Sequence, residues 1–75
     1  MTEKQKIVSL LAQEDFFISV SDKMSGAHHK LLQHIQARIK HKNLTREEIL
    51  KLRVKYNKEY ELTMNAMREG YKHLL

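Results

Sequence analysis

Eight apolar or aromatic side chains near the C-terminal end of this 75-residue chain recur every three or four residues. They are Ile49, Leu52, Tyr56, Tyr60, Met64, Met67, Tyr71 and Leu74, at spacings of 3, 4, 4, 4, 3, 4 and 3. That interval is the period of one face of an α-helix, and neither a strand nor a loop sustains it. The start of the helix is also written in the sequence. Thr45 and Glu48 form a T-x-x-E capping box, and Leu44 and Ile49 occupy the staple positions on either side. Such a cap contributes about 1 kcal/mol. The expectation is one helix from Thr45 to Leu75, about 30 residues and roughly 45 Å long.

A second amphipathic segment precedes it. Met24, His28, Leu31, Leu32, Ile35 and Ile39 share one side of a helix over Ala27–Lys42. Lys40, His41 and Lys42 suit the negative end of its dipole, and Asn43 can take the left-handed conformation that ends helices. The short connection Lys42-Asn43-Leu44-Thr45 implies antiparallel neighbours, a helical hairpin.

Towards the N-terminus the helical signal runs from Glu3 to Val20 but is less tidy. Ile7, Leu10, Leu11 and Ile18 can share a face, while Glu14 and Asp15 interrupt it. The adjacent Phe16 and Phe17 cannot both face one core from one helix. This segment therefore reads as a helix packed on two sides of a small bundle. Between Ser19 and Gly26 the residues favour caps and turns, which favours a break, with Asp22 or Ser25 capping the next helix. The apolar spacing through Ile18, Met24 and His28 would also suit a kinked continuous helix. The expected fold is one all-α domain over residues 1–75. It is a helical hairpin with a long C-terminal helix plus an N-terminal helix, closed as a three-helix bundle or a dimeric helical bundle.

Composition agrees. The chain has no proline and two glycines, so nothing punctuates a hairpin of strands. Without cysteine, stability has to come from packing, and a core this small supplies only a few kcal/mol. A dimer or a partner would add to that. No apolar run approaches the length of a membrane span, and the start Met-Thr-Glu-Lys-Gln-Lys lacks the pattern of an export signal. The expectation is a cytoplasmic protein without membrane contact.

Catalytic and metal chemistry find little support. Four of the five histidines lie between His28 and His41, but the i+4 partners of His28, His29 and His34 are Leu32, Gln33 and Arg38. The i, i+4 pair that grips a metal from one helix is missing, so neither metal nor cofactor is expected. His28 reads as a satisfied core histidine. No nucleophile–base pair or glycine-rich phosphate loop stands out, and Arg53 reads as snorkelling at the edge of the apolar stripe. The chain is expected not to be an enzyme.

Two surfaces remain as candidates. The first is the end of the stripe beyond the hairpin partner: Tyr60, Met64, Met67, Tyr71 and Leu74. Methionine adapts to irregular surfaces and tyrosine is enriched in interfaces, so this face is expected to bind a protein partner or a second copy. The second is basic. The net charge is +5, and Ala27–Leu44 carries four cations and no acid. Lys30, Arg38, Lys40, Lys42 and Arg46 could attract nucleic acid around the turn between the last two helices.

Two resemblances accompany these readings. The basic two-helix hairpin beginning Met-Thr-Glu-Lys-Gln-Lys looks like the plasmid Rop-type RNA-binding proteins, which dimerise into four-helix bundles. Glu61-Leu62-Thr63-Met64-Asn65 is similar to a stretch in the haemolysin-expression-modulating family of small nucleoid-associated helical proteins. Where that family has an acid-His-Arg segment, this chain has Tyr56-Asn57-Lys58, and it lacks the proline and tryptophan of the family's tail.

Overall fold

The computed structural model describes residues 2–75 and, among them, contains four α-helices and no strand. The helices are α1 (Glu3–Ser19), α2 (Gly26–Lys40), α3 (Arg46–Lys55) and α4 (Asn57–Gly70). Short 3₁₀ turns follow α1 at Ser21–Lys23 and α4 at Lys72–Leu74.

The helix at the centre is α1. Its principal neighbours are α4 and α2, and α3 also leans on it. Seven of its side chains are buried, among them Val8, Leu11, Phe16 and Phe17, which have almost no exposed surface. Phe16 and Phe17 are both enclosed because α1 is covered from more than one direction, as a helix packed on two sides requires. Their rings meet edge to face at 5.6 Å between centroids. Ile18 departs from the face expected for it and is exposed. A T-x-x-Q capping box, Thr2 with Gln5, starts the helix. The Thr2 hydroxyl accepts from the Gln5 N–H, and the Gln5 side chain accepts from the Thr2 N–H.

The break between α1 and α2 falls inside Ser19–Gly26. Ser25 is the N-cap of α2, but its hydroxyl pairs with Nδ1 of His28 at 3.2 Å instead of capping a backbone N–H. α2 contributes Leu32, Ile35 and Ile39 to the core. Asn43 has φ 51°, in the left-handed region, and turns the chain into α3. Thr45 and Glu48 form the expected capping box there. The short connection thus stands, but the expected hairpin is not the packing unit, because α1 is the main neighbour of α2.

The expected single C-terminal helix is divided. At Tyr56 the backbone leaves the helical region (φ −110°, ψ 36°), and α4 begins at Asn57. The reason is one of length. A straight rod of roughly 45 Å would overrun a fold whose Cα atoms extend 30 × 23 × 20 Å. Bending at Tyr56 lets α3 bury Leu52 beside α1 while α4 follows α1 along its length. Contacts advance together along α1 and α4, from Gln5–Glu59 through Ser9–Thr63 to Phe17–Tyr71. The bend disturbs little hydrogen bonding. Tyr56 still donates to the Leu52 carbonyl at 2.9 Å, and Tyr60 to the Tyr56 carbonyl at 3.1 Å.

Candidate interaction surfaces

The Tyr/Met face of α4 is turned inward. Tyr60, Met64, Met67 and Tyr71 are half-buried and packed against the core, and Leu74 is buried. The final 3₁₀ turn brings Leu74 in, where a continued helix would have carried it past the end of α1. Tyr71 lies among aromatic rings. Its centroid is 5.1 Å from Phe17, 5.3 Å from His28 and 6.1 Å from both Phe16 and His73. His28 also stacks on Phe17, as a satisfied histidine at the edge of a core does. The expectation that this face extends beyond its covering helix is corrected: α1 covers it.

Tyr60 joins a polar cluster where α1, α3 and α4 meet. Its hydroxyl donates to Oδ2 of Asp15 at 2.8 Å, and Nη2 of Arg53 lies 3.0 Å from the same oxygen and 3.1 Å from Oδ1. Arg53 is therefore paired across 38 residues of sequence while its side chain stays partly exposed at the edge of the core. Its Nε is buried without a partner. Burial, then the hydrogen bond to Asp15, pushes the Tyr60 phenol above its ordinary range. Beside the cluster, Glu14 is pushed up by burial and then by the charge of Asp15. The cluster ties three helices together, and its donors and acceptors are largely spent on one another.

Of the five basic residues, Lys30 stands apart from the turn. Lys30 lies ten residues before Lys40 on α2, roughly 15 Å along the axis. Lys42 is bonded to the Glu3 carboxylate, and that hydrogen bond holds Glu3 below the usual carboxylate range. Arg38 and Lys42 border one hollow with Glu3, Lys6 and His41. Lys40 borders another with Ala37, His41 and Asn43. Arg46 opens α3. Among the described residues, Lys30, Arg38, Lys40 and Arg46 have no ion-pair partner.

One surface was overlooked in the sequence. Leu50 and Val54, one turn apart on α3, are 53% and 80% exposed. Lys51 and Lys55 stand beside them. Across those lysines runs a groove between α1 and α3, with Ile7, Leu44 and Leu52 lining it and Lys4, Lys51, Lys55 and Glu48 around it. The signal was present: Leu50 and Val54 form an i, i+4 pair outside the Ile49–Leu52 stripe.

Among the described residues, no group of three or more histidines or carboxylates could hold a metal ion. Among the described residues, no helix is long and apolar enough to cross a membrane. No protein-family model matches the chain, nor does any curated protein or solved structure. Neither of the two resemblances therefore carries an argument further.

Proposed function

We propose that this protein is a small, non-catalytic helical interaction module that binds a protein partner through the outer face of α3. The observation that supports this is the exposed pair Leu50 and Val54, on a helix whose inner face is already used by the core. An interface needs apolar surface that the fold itself does not consume. The Tyr/Met face of α4, the first choice from the sequence, has spent most of its surface on α1. What α4 leaves accessible there are the edges of half-buried side chains.

A second reading, nucleic-acid binding, is favoured by the acid-free run of α2 and by Arg38, Lys40 and Arg46, which lack ion-pair partners among the described residues. One experiment separates the two readings. The tagged chain captures partners from its native host with and without nuclease, beside two variants. One variant is Leu50→Gln/Val54→Gln; the other is Arg38→Ala/Lys40→Ala/Arg46→Ala. Nuclease-resistant capture lost only in the first supports the α3 interface. Nuclease-sensitive capture lost only in the second supports nucleic acid, with a salt dependence that weakens as phosphate contacts are removed.

A further inference from the structure

We infer that the occupant of the outer face of α3 is an acidic amphipathic helix from another protein. This rests on the α3 interface proposed above and adds the chemistry of its partner. The exposed apolar surface there is Leu50 and Val54, flanked by Lys51 and Lys55. Beyond those lysines a shallow groove is floored by the buried Ile7 and Leu52 and edged by Leu44 and Lys4. Two carboxylates lie close, and both are engaged. Glu48 accepts from the Thr45 N–H in the capping box, and Glu47 is 3.3 Å from Lys51. Lys55 sits 5.6 Å from the centroid of the Tyr56 ring, and no carboxylate among the described residues pairs with it. The surface thus alternates apolar groove, cationic ridge and apolar ridge, the last made by Leu50 and Val54.

A helix with one apolar face flanked by glutamates complements that order. Its apolar face lies on Leu50 and Val54, and its carboxylates meet Lys51 and Lys55 beside them. The ten residues of α3 match about three turns of such a partner. A second copy fits poorly, because it would bring the same lysines face to face on chains that each carry +5.

The test uses the full chain and fluorescein-labelled synthetic helices of about four turns. An acidic amphipathic peptide is compared with its scrambled form of equal charge, a Gln-for-Glu form and a Lys-for-Glu form. Duplex DNA and phosphatidylglycerol vesicles complete the set, and anisotropy reports binding. The acidic amphipathic peptide should bind at least about tenfold tighter than its scrambled and Lys-for-Glu forms. Lys51→Glu/Lys55→Glu should weaken the acidic peptide by about tenfold and strengthen the lysine peptide. All four altered positions on α3 are exposed, so the fold should survive, and circular dichroism confirms it. Equal binding of the acidic and scrambled peptides overturns the inference, as does DNA or vesicle binding that is tighter and uses the same lysines. If the Gln-for-Glu form binds as tightly as the acidic one, and Leu50→Gln/Val54→Gln abolishes both, the α3 interface stands and its acidic partner falls. If no peptide responds to Leu50→Gln/Val54→Gln, both fall.

Discussion

The phenol of Tyr60 is caught between burial and a neighbouring carboxylate, and both favour its neutral form. Its pKa is raised in the fold above the ordinary value of 10.0. A raised pKa means that the associated stability is fully present below about pH 10 and is lost as pH climbs through the folded-state value. Tyr60→Phe should therefore cost about 1–2 kcal/mol at neutral pH, by removing a hydrogen bond to a charged acceptor. The same variant should show less alkaline destabilisation than wild type, and urea melts at pH 8 and above pH 10 check both. Glu14 makes the opposite test. Burial and Asp15 raise its carboxyl, so its charged form opposes folding once the pH is above the ordinary value of 4.5. Glu14→Gln should raise the thermal midpoint at pH 7, and the gain should shrink as the pH is lowered into the acid range. None of this was legible from sequence. Tyr60 lies on the stripe and Arg53 at its edge, but Asp15 lies 45 and 38 residues away, and only the packing of α1 brings it to them.

At the scale of elements, the sequence spoke clearly wherever the determinant is local. The Thr45–Glu48 box, the left-handed Asn43 and the break after Ser19 each depend on a few neighbouring residues. Thr45→Ala should cost about 1 kcal/mol, read by chemical denaturation. Asn43→Val should cost about 1–2 kcal/mol because a β-branched residue resists φ 51°, whereas Asn43→Gly should be close to neutral. The bend at Tyr56 has a different origin. Apolar periodicity passes through it unbroken, because the same face is needed on both sides. What bends the chain is the shortness of α1, 17 residues, against the 31 that follow Leu44. A length mismatch between elements is a tertiary fact, and the 3-and-4 spacing carries no trace of it.

For the molecule as a whole, the order of importance read from the sequence is reversed. The untidy N-terminal segment is the centre, and the regular C-terminal stripe is one of the layers laid against it. The untidiness had a cause. A helix enclosed on several sides needs apolar residues around more of its circumference, so its pattern loses the clean single face. The adjacent pair Phe16–Phe17 was the clue. The same arrangement removes the motive for a dimer, since the stripe that would have sought a second copy is covered by α1. Sedimentation equilibrium should accordingly give a 9.0 kDa monomer across a wide concentration range. The account stands or falls on which face is core and which is surface, and thermal unfolding of two variants tests this most directly. Tyr71→Ala should lose about 3 kcal/mol or more, since it removes a ring packed among Phe16, Phe17 and His28. Val54→Gln, at a position 80% exposed, should melt within about 0.5 kcal/mol of wild type. A Tyr71→Ala protein that melts like wild type, beside a Val54→Gln protein that does not, would contradict the account.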